Sequence, residues 1–105
     1  IAGDAMAYRI EFADEADEHF GALTAGERAI LVEAMEGQLV HQPTAETRNR
    51  KRMRPNPIAP WVLRVGHLRV YYEVKARPGA VVTVRAFGVK IRERVTIGGV
   101  EVDLS

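Results

Sequence analysis

The sequence predicts a single α+β domain in which an N-terminal strand and two helices precede an antiparallel β-meander. Three observations support this fold class. Residues 8–12 alternate apolar and polar side chains, two helical patterns follow directly, and three runs rich in β-branched and aromatic residues come after residue 60. The length of 105 residues suits one hydrophobic core, so residues 1–105 are expected to form one domain.

The first half of the chain predicts a strand and an αα-hairpin. Asp14 is placed to cap a short helix, and Thr24 with Glu27 matches a capping box that opens a longer helix ending near Val40. The short connection predicts that the helices pack as an antiparallel hairpin on the sheet. The apolar face of the first helix is Ala16, His19, Phe20 and Leu23, and that of the second is Ile30, Leu31, Ala34, Met35 and Leu39.

Residues 43–60 show no apolar periodicity and predict a long loop. A loop of this length in a compact domain is expected to be functional or disordered rather than an idle connector. Its basic cluster consists of Arg48, Arg50, Lys51, Arg52 and Arg54.

The second half predicts strands at residues 61–65, 68–74 and 80–87, with turns at residues 66–67 and 77–79. A tail of two short strand pieces is expected on either side of Gly98 and Gly99. Alternation assigns one face to the core, made of Trp61, Leu63, Val65, Leu68, Val70, Tyr72 and Val74. The opposite, polar face is assigned Arg64, His67, Arg69, Tyr71, Glu73 and Lys75, together with Thr83, Arg85 and Phe87 of the third strand.

Charge is distributed unevenly along the chain. Residues 1–46 carry two basic and ten acidic side chains, a net charge of −8, whereas residues 47–105 carry thirteen basic and four acidic ones, a net charge of +9. This asymmetry favours an anionic partner for the second half, with nucleic acid the first candidate. The alternative is that the two halves neutralise each other within the fold.

Composition excludes several classes of protein. The chain has no cysteine, which rules out a disulfide scaffold, a thiolate nucleophile and cysteine-bearing metal sites. No apolar run approaches the length of a membrane helix, and the N-terminus lacks signal-peptide features, so a cytoplasmic protein is expected. Met6 is a candidate native start, which would leave residues 1–5 outside the domain.

The polar face predicts a basic concavity suited to phosphate. Arg64, Arg69 and Arg85 are expected to lie beside the basic loop cluster, and arginine forks bind phosphate through two parallel hydrogen bonds. His67 lies in the turn beside Arg69, where an imidazole can act as an acid or a base. The alternative is a solvated face whose arginines pair with Glu73 and Glu93. Neither a metal site nor a hydrolase triad is indicated, and no cofactor is expected.

Element order and motif together resemble the RelE/ParE superfamily of bacterial toxins from toxin–antitoxin operons. The resemblance covers about residues 7–97 and depends most on residues 61–74, WVLRVGHLRVYYEV, and on residues 84–90, VRAFGVK. It implies a β-α-α-β-β-β fold and a cognate antitoxin. It also implies one of two activities, which are ribosome-associated, metal-independent mRNA cleavage in RelE-like members and inhibition of DNA gyrase in ParE-like members.

By position in that family, Arg64, Arg69 and Lys90 match the basic catalytic residues of the RelE-like nucleases. Two positions depart from the pattern. Val62 stands where a lysine is common, and Thr96 stands where a C-terminal tyrosine is expected. His67, Tyr71 and Glu73 are the candidates to replace that aromatic residue, since they share the polar face with Arg69.

The leading hypothesis is therefore a translation-inhibiting endoribonuclease, an mRNA interferase, whose catalytic residues are Arg64, Arg69, Lys90 and His67. Arg85 and the loop cluster would bind RNA. Its expected partners are mRNA, the ribosome and an antitoxin, with no membrane. The competing hypothesis is a non-enzymatic member of the fold, either a gyrase inhibitor or a cleavage-deficient RNA- or antitoxin-binding protein.

Overall fold

The computed structural model describes residues 7–76 and 79–103, and they form an α+β fold with an N-terminal strand, two helices and a largely antiparallel sheet, as predicted. Residues 1–6, which include the candidate start Met6, residues 77–78 of the predicted turn and residues 104–105 lie outside the described residues. The elements are β1 (Arg9–Phe12), α1 (Asp14–Gly21), α2 (Ala25–Gln38), β2 (Arg50–Arg52), β3 (Trp61–Val65), β4 (Leu68–Lys75), β5 (Val81–Ile91), β6 (Arg94–Ile97) and β7 (Val100–Val102).

The strands form one sheet in the order β2-β3-β4-β5-β6-β7, and every neighbouring pair in this path is antiparallel. The N-terminal strand β1 instead pairs in parallel with the first part of β5, at Val81–Val84. The later part of β5, from Gly88 to Ile91, pairs with β6. The long strand β5 therefore joins the N-terminal strand and the C-terminal β6–β7 hairpin to the rest of the sheet.

The two faces of the sheet have different roles. The helix face packs α1 and α2 against the main core, whose fully buried members are Ala16, Leu31, Leu39, Val70, Tyr72, Val82 and Val84. The other face, called here the groove face, carries a smaller apolar cluster of Ala59, Val62, Tyr71, Ala86 and Ile97. No helix among the described residues covers this second cluster; the partly buried side chains of Met53, Ile58, Val95 and Val102 pack against it instead.

A β-bulge between β4 and β5 corrects one face assignment. The register shifts between Tyr71 and Tyr72, which face Ala86 and Val84, so Arg85 is the extra residue of β5. The predicted polar-face set is therefore wrong at Phe87, whereas Thr83 lies opposite Glu73 and Arg85 pairs with Glu73. Phe87 points into the helix-face core, where its ring lies 5.0 Å from that of Phe12.

The helices differ from the prediction at their ends and on one flank. Ala13, rather than Asp14, is the N-cap residue of α1 and forms no side-chain cap. The second helix begins with the predicted capping box but ends at Gln38 instead of Val40. Ile30 is 55% exposed, whereas Leu31 and Met35 form the buried side of α2. Adjacent residues of an α-helix are rotated by about 100° around its axis, so Ile30 points away from the side that Leu31 buries.

The capping box of α2 is joined to the β3–β4 turn by a polar contact between Glu27 and His67. The Glu27 carboxylate accepts a hydrogen bond from the Thr24 backbone N–H, and its other oxygen lies 3.3 Å from Nε2 of His67. These two contacts lower the pKa of Glu27 from its ordinary value of 4.5.

The lowered pKa of Glu27 predicts an acid-dependent contribution to stability. The contribution is present above the unfolded-state pKa near 4.5 and is lost as the pH falls through the lower folded-state value. Glu27→Gln keeps an acceptor oxygen but no charge. We expect the difference in unfolding free energy between wild type and Glu27→Gln to shrink as the pH falls below 4.5 in urea titrations. A difference independent of pH would contradict this account.

Candidate phosphate-binding groove

A basic groove lies on the groove face, where β3, β4 and β5 meet the β6–β7 hairpin. Its volume is about 400 Å³. Its cationic wall comes from the central strands, and its apolar wall comes partly from the hairpin. The lining residues are Met53, Val62, Arg64, Arg69, Tyr71, Lys90, Glu93, Val95, Val102 and Asp103.

Arg64 and Arg69 form the centre of the cationic wall. They are direct cross-strand partners in β3 and β4, an arrangement in which like charges repel each other. Neither forms a salt bridge with a carboxylate in the part of the chain that the structure describes. Two adjacent guanidinium groups attract an anion, because a bound anion relieves their mutual repulsion.

The Arg69 side chain is held in place by the turn beside it. One guanidinium nitrogen donates hydrogen bonds to the carbonyl oxygens of Gly66, at 2.7 Å, and Leu68, at 2.8 Å. Partial burial and the neighbouring Arg64 both lower the pKa of Arg69, with burial the larger cause, although a guanidinium stays charged at neutral pH. The positive charge of Arg69 is therefore fixed at the groove before any ligand binds.

Lys90 adds a third cation from β5. Its backbone N–H donates to the carbonyl oxygen of His67 at 2.7 Å, which ties this part of β5 to the β3–β4 turn. The groove also contains the carboxylates of Glu93 and Asp103. The three cations nevertheless exceed the two acidic groups, so the groove favours an anionic ligand.

Tyr71 forms the floor of the groove. The residue is 2% exposed, and burial raises the pKa of its phenol, while Arg69 and Arg64 oppose that rise. Its ring packs over Gly88, where an added Cβ would lie only 3.1 Å from Tyr71 Cε2. Glycine at position 88 therefore leaves room for the Tyr71 ring against β5.

His67 lies away from this groove. Its imidazole is directed toward Glu27 at the start of α2, and its side chain is 58% exposed. The tight turn that places Gly66 at a φ of 60° puts the histidine on the helix side of the β3–β4 connection. Its backbone carbonyl, rather than its ring, is the part of His67 that supports the groove.

The loop cluster does not form one surface, because part of it is a strand. Residues 50–52 form β2 and pair with β3, which corrects the expectation of an irregular loop. Arg50 is only 6% exposed and donates hydrogen bonds to the carbonyl oxygens of Ala45 and Gln38 and to the Gln38 side chain. Since Gln38 ends α2, the Arg50 guanidinium caps the C-terminus of a helix that has no basic residue in its last turn.

The other basic side chains of the loop are more accessible. Lys51 pairs with Val62 and so lies on the groove face next to the groove. Arg52 stacks over the Trp61 ring at 5.7 Å, and with Arg54 it lines a second, separate cleft. Arg48 is exposed at the start of this segment.

Arg85, at the bulge, lies outside the groove lining. Its guanidinium lies 3.5 Å from the Glu73 carboxylate. The sequence had left open whether arginines of the polar face pair with nearby glutamates, and this one does. Glu73 is therefore engaged with Arg85 rather than facing the groove.

Thr96, which stands where the resemblance predicts a C-terminal tyrosine, lies on the helix face. Thr96 lines a cavity of about 450 Å³ on the helix face, together with His19 and Phe87. The His19 ring there accepts a hydrogen bond from the Phe87 backbone N–H at 3.3 Å. Thr96 is thus on the opposite side of the sheet from the arginines.

Sequence reasoning identified the cations of the groove, Tyr71 and, as a possible partner of the arginines, Glu93, but not the groove's other members. Alternation placed Tyr71 on the polar face, which was the available signal for its role. Met53, Val95, Val102, Glu93 and Asp103 come from the loop and from the C-terminal hairpin, whose positions in space no local pattern predicts. Within residues 7–76 and 79–103, no group of three histidine or acidic side chains could hold a metal ion. The same residues contain no helix long and apolar enough to cross a membrane.

Comparison with known proteins gives no family assignment. No model of a protein family matches this chain, and no curated protein matches it.

Proposed function

We propose that this protein is a RelE/ParE-type toxin that cleaves messenger RNA at the ribosome and so inhibits translation. The observation that carries the proposal is the cross-strand pair of Arg64 and Arg69, which lines the groove and forms no salt bridge among the described residues. The order of elements, with a strand and two helices before the antiparallel strands, is compatible with the RelE/ParE fold.

The groove has the chemistry needed to act on a phosphodiester. Attack of a ribose 2′-hydroxyl on the adjacent phosphorus passes through a pentacoordinate phosphorane with additional negative charge. Arg64 and Arg69 would bind the phosphate oxygens, and Lys90 would add charge from the third strand. Because the Arg69 guanidinium is held by the Gly66 and Leu68 carbonyls before substrate binds, it would stabilise this charge with little reorganisation.

An acidic antitoxin segment is the proposed physiological inhibitor. The groove and the exposed loop arginines offer a positively charged surface to an extended or partly disordered acidic chain. Such a segment would order on binding and exclude RNA from the arginine pair.

A second candidate function is non-enzymatic inhibition of DNA gyrase. The position of Thr96 favours it, because the place of the expected C-terminal aromatic residue is taken by a side chain on the other face of the sheet. Under this alternative the groove would bind an antitoxin without performing catalysis.

The two functions are separated by parallel assays on the purified protein. We expect a synthetic mRNA to be cut when it is bound to ribosomes, and we expect gyrase supercoiling activity to be unaffected. Loss of supercoiling with intact mRNA would overturn the ribonuclease proposal in favour of the gyrase inhibitor. A protein without effect in either assay would overturn both.

A further inference from the structure

We propose that the Tyr71 hydroxyl is the proton donor to the leaving oxygen during RNA cleavage in the groove. This inference rests on the proposed ribonuclease function. The resemblance to the RelE-like nucleases does not itself imply a proton donor at residue 71. It would explain how the groove can act without an aromatic residue near the C-terminus.

Tyr71 is positioned by packing on several sides. Its ring contacts Gly88 and belongs to an apolar cluster with Val62, Ala86 and Ile97. In the described part of the chain, every fully buried side-chain oxygen or nitrogen has a hydrogen-bond partner. No described residue forms a hydrogen bond with the Tyr71 hydroxyl, so this oxygen is not fully buried. The hydroxyl oxygen therefore keeps some solvent access although the residue is 2% exposed, and Tyr71 is one of the residues that line the groove.

The other two candidates from the polar face are engaged elsewhere. His67 pairs with Glu27 on the helix side, and Glu73 pairs with Arg85 at the bulge. Of these three side chains, Tyr71 is the one that lines the groove with Arg64 and Arg69. Among these three candidates, the Tyr71 phenol is therefore the group placed to act on a ligand in the groove.

The surroundings of the Tyr71 phenol suit a proton donor better than a base. Burial raises the pKa of the Tyr71 phenol, so the group carries its proton at neutral pH. The nearby guanidinium groups of Arg69 and Arg64 oppose that rise because they stabilise a phenolate once the proton has left. A donor in this setting can release a proton in the transition state and recover it from water.

The proposed step balances as follows. The 2′-oxygen forms a bond to phosphorus and its proton passes to solvent water, while the bond between phosphorus and the 5′-oxygen breaks. Tyr71 gives its phenolic proton to that 5′-oxygen, and the phenolate is then reprotonated by water. The products are a 2′,3′-cyclic phosphate and a 5′-hydroxyl end.

The test uses two RNA substrates that differ in the leaving atom. One is an ordinary RNA bound to ribosomes, and the other carries sulfur in place of the 5′-oxygen at the mapped cleavage site, a leaving group that needs no protonation. Cleavage is measured in single turnover for wild type, Tyr71→Phe and Arg64→Ala. Tyr72→Phe is the matched control, because its hydroxyl donates to the Pro43 carbonyl at 2.6 Å on the helix face.

We expect Tyr71→Phe to cut ordinary RNA about 100-fold more slowly than wild type and to cut the sulfur substrate nearly as fast. Arg64→Ala should be slow on both substrates, and Tyr72→Phe should retain the wild-type rate on both. Equal slowing of Tyr71→Phe on both substrates, or no slowing on either, would overturn the role of Tyr71 while leaving the ribonuclease function intact. Absence of cleavage by the wild-type protein would instead overturn the proposed function, and the role of Tyr71 with it.

Discussion

Replacement of Arg64 or Arg69 by alanine is expected to lower the rate of RNA cleavage by about 100- to 1,000-fold. Each guanidinium faces the groove and meets the other directly across the β3–β4 pair. Removing one leaves the phosphorane with a single arginine and Lys90. Because the two arginines act on the same phosphate, the double variant should lose less than the product of the two single effects.

The matched control for these variants is Arg85→Ala. Arg85 is an exposed arginine of the same sheet, but it pairs with Glu73 and does not line the groove. We expect Arg85→Ala to keep nearly the full cleavage rate, and all of these variants to keep the wild-type circular dichroism spectrum and unfolding midpoint. A folded Arg64→Ala Arg69→Ala protein that cleaves RNA at the wild-type rate would contradict the assignment of the groove.

Arg50→Met is expected to reduce the free energy of unfolding by about 3 kcal/mol. The substitution keeps much of the aliphatic volume but removes the donors to the Ala45 and Gln38 carbonyl groups. These oxygens lie around a side chain that is 6% exposed, so water does not readily replace the lost hydrogen bonds. The C-terminus of α2 would also lose the cation that compensates its dipole.

Urea unfolding of Arg50→Met and of Arg48→Met tests whether Arg50 stabilises the fold or binds RNA. Arg48 is an exposed arginine of the same segment, and its replacement should leave the unfolding free energy within about 0.5 kcal/mol of wild type. An Arg50→Met protein as stable as wild type, but weakened in RNA binding, would show that Arg50 serves the ligand rather than the fold.

The elements were predictable where a short segment carries its own signal. The capping box at Thr24 and Glu27 begins α2 because its hydrogen bonds join residues three apart in the chain. The alternation of β3 and β4 correctly assigned Arg64, Arg69 and Tyr71 to one face. In β5 the same reasoning failed at Phe87, because the bulge depends on how β5 pairs with β4 rather than on its own sequence.

For the candidate site, the sequence predicted the groove cations and the face of Tyr71, but not the role of each basic loop residue. A basic side chain in a loop reads the same whether it caps a helix or faces solvent, so Arg50 could not be told from Arg48 by sequence. The partner of Arg50 is the end of α2, twelve residues earlier in the chain. The floor of the groove likewise depends on Tyr71 lying over Gly88, a contact between strands that local patterns do not specify.

The central claim is that the pair of Arg64 and Arg69 acts on messenger RNA, and mapping of transcript 5′ ends in cells tests it most directly. The protein would be induced in a bacterial host without an antitoxin, beside Arg64→Ala and Arg85→Ala at matched expression. We predict new 5′ ends within translated codons for wild type and Arg85→Ala, and their loss in Arg64→Ala. Growth arrest by the wild-type protein without new ends in translated codons would contradict the account.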